Sequence, residues 1–293
     1  MRLRRYTDLP AYIDRVSPFL MQREAEHCLQ LGILTTLLRG EMSNARAPFL
    51  TLVWGDTSGR VALVALATPP FNLILSHPAP LPDAALDEAL LLVAAAAHDA
   101  APDLPGVLGP DAVASRYVSR WEALTDQTAH AALSERIYRL ERVTAPQGIA
   151  GEMRRIEEGD RPILREWLRA FSMEALGEPD DPSVETQIDR RLRFESSGMY
   201  LWQVGASPVS LAGYGGPTPH GARIGPVYTP PDARSHGYAS ALTAALSQTL
   251  LDAGRQFVFL FTDLANPTSN HIYQSIGYQP VSDVIEYRFD SQG

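Results

Sequence analysis

The sequence predicts a mixed α/β protein built from two copies of one domain, at about 1–145 and 146–293. Three observations carry this reading. The chain has 293 residues, and domains usually run to about 100–200. The segment "FLTLVWGDTSGRVALVALATPP" from Phe49 parallels "MYLWQVGASPVSLAGYGGPTP" from Met199. Each is an apolar strand carrying Trp, a small polar turn, a second apolar strand and a Pro-containing break. Between the copies, "VTAPQGIAG" at Val143 to Gly151 has the Pro and Gly of a linker.

The upstream parts also correspond: Tyr6 to Gly40 and Asp160 to Gly198 each read as two helices. Downstream, both halves show a short strand, an amphipathic helix, a further loop and helix, and a closing strand, "SERIYRLERV" or "DVIEYRFD". In the second copy, helices are expected over about 161–176, with Asp160 as N-cap and Pro162 in the first turn, and over about 184–194. Strands follow at about 200–204, 209–214 and 223–228, then a helix at about 237–253. "FVFLF" at Phe257 to Phe261 is wholly apolar and short, as a buried central strand should be. A short helix at about 266–275 and a last strand at about 284–289 complete the copy.

Composition removes several function classes. The net charge of −9 argues against a nucleic-acid partner, which needs clustered cations. "RRLR" at Arg190 to Arg193 is a local basic run that reads as a solvated helix face. All 25 basic residues are arginine, so Walker-type NTPases, protein kinases, pyridoxal enzymes and Schiff-base aldolases are set aside for want of their lysine. Cys28 is the one cysteine, so neither an internal disulfide nor a cysteine metal cluster can form. The first residues lack the apolar core of a secretory signal. The longest apolar run, "ALLLVAAAA" at Ala89 to Ala97, is far short of the ~20 residues of a membrane span. A soluble, cytoplasmic protein without membrane partners is the expectation.

The segment with most chemical content is "TPPDARSHGYASALTAAL", Thr229 to Leu246, directly after the strand "ARIGPVY". A helix opening at Gly237 presents unpaired N–H groups and the positive end of its dipole, a ready anion site. Gly237 removes a Cβ from the approach, Ala239 and Ser240 keep the first turn narrow, and Arg234 adds a cation. An ordinary tight turn is the competing reading. Neither the Rossmann nor the Walker fingerprint is matched.

Arg234-Ser235-His236-Gly237-Tyr238-Ala239 resembles the R/Q-x-x-G-x-G/A motif of the GCN5-related N-acetyltransferases, with Ala239 as the departure from Gly. "TDLANPTSNHIYQSIGYQPV", Thr262 to Val281, resembles the later motif of that family, in the same order and at a suitable spacing. The resemblance implies two tandem domains of that fold, each a mixed, mostly antiparallel sheet flanked by helices. It implies acetyl-CoA as co-substrate, its pyrophosphate held by the amides of Arg234 through Ser240. The backbone of Val227, Tyr228 and Thr229 would follow the pantetheine arm and offer an amide to the thioester carbonyl. Asn266 and Asn270 would lie near the cofactor, and Tyr273 would be both a cofactor contact and the acid for the leaving thiolate. A core aromatic is the alternative for Tyr273.

The first copy departs from the motif. At the equivalent place "SHPAPLPDAALDEAL" has no Arg-x-x-Gly, and Pro80 and Pro82 remove donors. It is expected to keep the fold and to have lost cofactor binding. In "VLGPDAVASRYVSRW", Tyr117 falls one position off Tyr273. The general base is not identified: Glu174, Asp180, Asp181 and Glu195 lie where the family's acceptor site is bordered, yet each reads as a surface charge. His220 and His236 read as loop histidines, and His271 faces away from Tyr273. No metal spacing or nucleophile elbow is present. The expected function is acetyl transfer to a primary amine of a small molecule or peptide. The alternative is a non-catalytic CoA-binding or scaffold protein.

Overall fold

The structure, a computed structural model, describes residues 1–42, 46–55, 59–177 and 183–290. It comprises two compact units, Met1–Arg136 with Ser282–Gly293, and Ile137–Val281. The first unit contains β1 (Arg2–Tyr6), α1 (Leu9–Leu20), α2 (Cys28–Leu38), β2 (Phe49–Trp54), β3 (Val61–Ala67), β4 (Leu73–Leu75), α3 (Asp83–Ala100), β5 (Gly106–Pro110), α4 (Asp111–Thr125) and most of β6 (Ala129–Leu140). The second holds the end of β6, β7 (Glu152–Arg155), α5 (Arg161–Phe171), α6 (Val184–Arg193), β8 (Gly198–Val204), β9 (Ser207–Gly215), β10 (Gly221–Tyr228), α7 (Tyr238–Asp252), β11 (Phe257–Asp263) and α8 (Pro267–Ile276). The last strand, β12 (Gln279–Phe289), runs mostly within the first unit.

The repeat read from sequence is a repeat of topology. In the first unit the strand order is β1-β2-β3-β4-β5-β12, and in the second β7-β8-β9-β10-β11-β6. The first four strands of each run antiparallel, and the fourth and fifth are parallel. Two helices precede the second strand, one crosses between the parallel pair, and one follows the fifth strand. A parallel pair needs such a crossover, and α3 and α7 supply it.

The closing strands are exchanged. β12 ends the chain yet pairs with β5, Val284 opposite Pro110 and Arg288 opposite Gly106. β6 ends the first copy yet neighbours β11, and its Tyr138 and Leu140 are buried in the second unit's core. The units therefore divide at 136/137 and 281/282, whereas the linker composition pointed to 145/146. Composition marks where a chain bends; pairing decides which sheet a strand completes.

Three local expectations change. β1 is a strand ahead of the first helix pair. Asp160 does not cap α5: its carboxylate accepts from the Glu157 amide at 2.8 Å and from Arg154 at 2.7 Å, closing a preceding 3-10 turn. The helix expected over 161–176 changes at Ser172 into a π-helical turn, Ser172–Leu176.

In the second unit, alternation along the strands sorts the two faces. Ala212, Ala222, Ile224, Val258 and Leu260 face α7 and its Leu242, Leu246 and Leu250. Met199, Leu201 and Leu211 face Leu164, Leu168 and Ile188 of α5 and α6. In the first unit, Trp121 of α4 stacks on Phe289 of β12 at 4.9 Å, with Leu90 and Val93 of α3 in the same core.

Candidate active site

The site begins where β10 leaves its neighbours. Against β9, Ile224 faces Tyr214 and Val227 faces Ala212, so Gly225 and Pro226 together oppose Gly213. Two residues against one is a β-bulge, which bends the strand and re-aims its backbone. On the other side, the ladder with β11 covers Gly221–Arg223 against Phe257–Phe259, though both strands run on to Tyr228 and Asp263. Beyond Arg223 the parallel strands splay. The gap is bounded by Val227, Tyr228 and Thr229 on one edge and by the end of β11 on the other.

Past Thr229 the chain makes a 3-10 turn, Pro231–Ala233, and enters α7. Ser235 and Gly237 both adopt left-handed backbone, φ 66° and 81°. Such a conformation is costly for Ser and free for Gly. Ala241 is the first residue whose amide reaches an intrahelical carbonyl, that of Gly237 at 3.0 Å. The helix has neither a side-chain cap nor an acidic residue in its first turn. The amides of Tyr238, Ala239 and Ser240 are thus presented with the helix dipole behind them and no internal carboxylate in competition. A Cβ at Gly237 would meet Ile149 Cδ1 at 2.7 Å. His236 stacks on Tyr238 at 5.4 Å, and its Nδ1 lies 2.7 Å from the Arg234 carbonyl.

Arg234 is held within the protein. Its Nε donates to the Thr229 carbonyl at 2.9 Å, and an Nη donates to Glu174 at 2.6 Å. Glu174 also accepts from the Tyr228 hydroxyl at 3.3 Å. Burial and the Glu174 charge push the Tyr228 pKa up. Sequence reading took Glu174 for a surface charge; it is exposed, but it is the ion-pair partner of the motif's arginine. Such an exposed pair contributes about 0–1 kcal/mol, so an anion at the α7 amides can recruit Arg234 at small cost. Among the other acids, Glu195 is exposed, and Asp180 and Asp181 lie outside the described residues. His220 and His271 are exposed, as expected.

The later motif builds α8. Asn266 caps it, its side chain accepting from the Ser269 amide at 3.0 Å. Asn270 donates to the carbonyls of Asp263 and Asn266, each at 2.8 Å, and accepts from the Tyr138 hydroxyl at 2.9 Å. Both Asn270 N–H groups are therefore used in fixing the helix start to β11 and β6. Gly277 ends α8 with φ 113°, where a Cβ would strike the Arg142 carbonyl at 2.7 Å. Tyr278 is then fully buried, its hydroxyl 2.8 Å from Ser247 Oγ of α7. The Gly-Tyr of the motif thus pins α8 to α7.

Tyr273 projects from the helix so fixed. It is buried, meets Tyr278 edge to face at 5.9 Å, and its hydroxyl makes no hydrogen bond among the described residues. Burial raises its pKa to about 12. It is at once a core aromatic and a protonated donor with an unused O–H.

The equivalent place in the first unit is built otherwise. α3 starts behind Pro82, and its first turn carries Asp83, paired with Arg116 at 2.9 Å. Carboxylate stands where the other unit offers bare amides. On α4, Tyr117 is sealed in the core, its hydroxyl without a partner among the described residues.

"RRLR" is not a solvated face throughout. Arg191 is 4 % exposed. Its Nη donates to the Gly225 carbonyl at 2.7 Å, bracing the β10 bulge. No group of three or more metal-ligating side chains gathers among the described residues. None of the described helices is long and apolar enough to cross a membrane.

Solved structures share this fold along nearly the whole chain. A Drosophila protein matches with a TM-score of 0.70 at 11% identity, over 98% of each chain. A GCN5-related N-acetyltransferase from Sphaerobacter thermophilus matches with a TM-score of 0.62 at 14% identity, over 99% of this chain and 96% of that one. A tandem GNAT protein from the clavulanic acid biosynthesis pathway matches with a TM-score of 0.56 at 11% identity, over 100% and 99%. The fold is that of the GCN5-related N-acetyltransferases, in tandem form. Within it, residues 214–287 match the family described as FR47-like protein; that stretch runs from the end of β9 into β12 and includes both motifs. No curated protein matches the chain.

Proposed function

We propose that the second unit is an N-acetyltransferase that moves an acetyl group from acetyl-CoA to a primary amine of a small molecule or peptide. The observation that carries this is the start of α7: left-handed Ser235 and Gly237, unpaired amides, no acid in the first turn, and the splay of β10 from β11 beside it. These features suit a pyrophosphate, whose charge would be met by the helix dipole and Arg234. The neighbours named as N-acetyltransferases support acyl transfer as the chemistry. The first unit, with Pro82 and Asp83 in the corresponding turn, is proposed to hold no cofactor.

When bound, acetyl-CoA supplies the activated acetyl group. The amine nitrogen bonds to the acetyl carbon as the carbon–sulfur bond breaks, and the net proton passes from nitrogen to sulfur. An amine with a pKa of about 10.4 must first lose a proton, at roughly 4–5 kcal/mol at pH 7. Backbone amide at Val227–Thr229 would face the charge developing on the carbonyl oxygen. Tyr273 would direct its O–H at the sulfur. With a pKa of about 12, full transfer to a thiolate of pKa about 8.5 is uphill by about 5 kcal/mol. Tyr273 therefore acts mainly as a hydrogen-bond donor and yields its proton only as the amine's proton replaces it. Glu174 would be released if Arg234 turned to the cofactor.

The alternative is a CoA-binding or scaffold protein without catalysis, favoured by the packing of Tyr273 against Tyr278. A thermal-shift titration with acetyl-CoA tests the cofactor, and an amine panel with wild type and Tyr273→Phe tests the chemistry. A shift without turnover on any amine selects the CoA-binding alternative; no shift overturns cofactor binding and leaves the scaffold reading alone.

A further inference from the structure

Two arginines of the second unit, Arg191 buried and Arg223 half-buried, have no carboxylate partner among the described residues. Beyond Gly225, Arg191 on α6 reaches the Gln187 side chain at 3.5 Å, and its Nε is buried without a partner. Arg223, on β10, makes no ion pair or hydrogen bond among the described residues, and its Nη1 is likewise buried and unpartnered. For the buried Arg191 an uncompensated charge is strongly unfavourable, and a chain with 34 acidic residues had carboxylates available to neutralise it.

The two belong to one place. Arg223 alternates with Ala222 and Ile224, which face α7, so it projects from the opposite face, that of α5 and α6. Its guanidinium lies 5.7 Å from the centre of the Phe261 ring on β11, two residues along from its pairing partner Phe259. Arg191 descends onto the same face. A Cβ at Gly213 would meet its Nε at 2.7 Å, and Gly215 is the residue opposite Arg223. The charge of Arg223 is one of the causes, after burial and Arg190, that lower the Arg191 pKa to about 9, which leaves it cationic at neutral pH. Glycines on β9, aromatic Phe261 and two guanidinium groups thus frame the face of the splay opposite α7.

We propose that this face receives the acceptor, and that the acceptor amine carries a carboxylate, which Arg223 contacts and whose charge Arg191 balances from beneath. The planar guanidinium fork suits a carboxylate. The cofactor's phosphates have their own amides at α7, on the other face. This proposal rests on the acetyltransferase reading and narrows its substrate to amino acids or peptides presented with a free carboxylate.

The test compares kcat/KM for matched pairs, β-alanine with β-alaninamide and glycine with glycinamide, in the full-length protein. The acid of each pair is expected to be preferred by at least about tenfold. Arg223→Gln should bring that ratio towards one, and Arg223→Lys should restore part of it. A wild-type ratio of one or less, or a ratio unmoved by Arg223→Gln, overturns the proposal. If neither compound is acetylated, the same compounds are titrated against the protein by calorimetry, with acetyl-CoA titrated in parallel. Acid binding that is lost in Arg223→Gln supports the anion site even if acetyl-CoA does not bind, whereas acetyl-CoA binding with no acid binding overturns the site and leaves the cofactor reading standing.

Discussion

At the scale of single residues, Gly237 and Tyr273 make opposite demands. Gly237 is fixed by its backbone: at φ 81° any side chain is strained, and a Cβ also meets Ile149. Gly237→Glu is expected to cost about 1–2 kcal/mol of stability and to abolish the acetyl-CoA-dependent rise in melting temperature, since a carboxylate then stands among the α7 amides. A mutant that keeps the full shift would remove the loop from cofactor binding. Tyr273 is fixed by its ring. Tyr273→Phe keeps the packing against Tyr278 and deletes a hydroxyl that has no internal partner, so stability should hardly change. Turnover should fall by about 10²-fold with the acetyl-CoA affinity retained. Because its pKa is about 12, Tyr273 stays protonated through the assay range, and any alkaline loss of rate below about pH 11 must come from another group.

At the scale of elements, a histidine ties α1 to the segment that follows β4. His27 is 3 % exposed; its Nδ1 lies 2.8 Å from the Leu20 carbonyl, and its Nε2 accepts from the His77 amide at 3.1 Å. That arrangement needs the neutral ring. Burial chiefly lowers its pKa from 6.5 to about 4. The unfolded chain thus binds more protons than the folded one between these values, so stability falls as pH drops from about 6.5 to 4. The full loss is about 3 kcal/mol. Urea midpoints of the first unit at pH 7 and pH 4.5 check this, and His27→Asn should flatten the difference. An equal pH dependence in wild type and mutant would assign the effect elsewhere.

Elements also divide what was legible from what was not. Apart from β7, which the sequence reading lacks, and the turn at Ser172–Leu176, the strands and helices of the second copy stand in the sequence to within about five residues, because apolar alternation and Gly and Pro punctuation are local signals. The start of α7 was legible for the same reason: the run from Arg234 to Ala239 encodes its own left-handed turns. Arg191 was not. On sequence it is one of a basic run on a helix whose face is undefined, and burial depends on Gly213 opening a place beneath it. Glu174 is the surface charge the sequence predicts, but its pairing with Arg234, 60 residues away, carries no local signal.

At the scale of the whole molecule, the exchanged closing strands give the sharpest expectation. Val284 to Arg288 complete the first unit's sheet beside β5, and Phe289 stacks on Trp121. A chain ending at Val281 therefore leaves β5 with an open edge and the first unit without a core aromatic, a loss of several kcal/mol. Hydrogen exchange should show the β5 amides that face β12 losing protection in the truncated protein while α7 amides of the second unit stay protected. Unchanged protection of β5 would contradict the strand exchange.

The sequence by itself determined the twofold repeat, most element types other than β1 and β7, and the difference between an amide-rich turn at Arg234–Ser240 and a proline-blocked one at Pro80–Pro82. All of these are written in neighbouring residues, where backbone propensity and side-chain period act over a few positions. Only the tertiary structure decided which strand completes which sheet, that Tyr138 of β6 bonds to Asn270 of α8, that Glu174 engages Arg234, and that Arg191 and Arg223 face the splay with no neutralising acid among the described residues. Those outcomes join residues tens or hundreds of positions apart, and a contact between distant residues is set by packing and strand pairing, for which local pattern carries no signal.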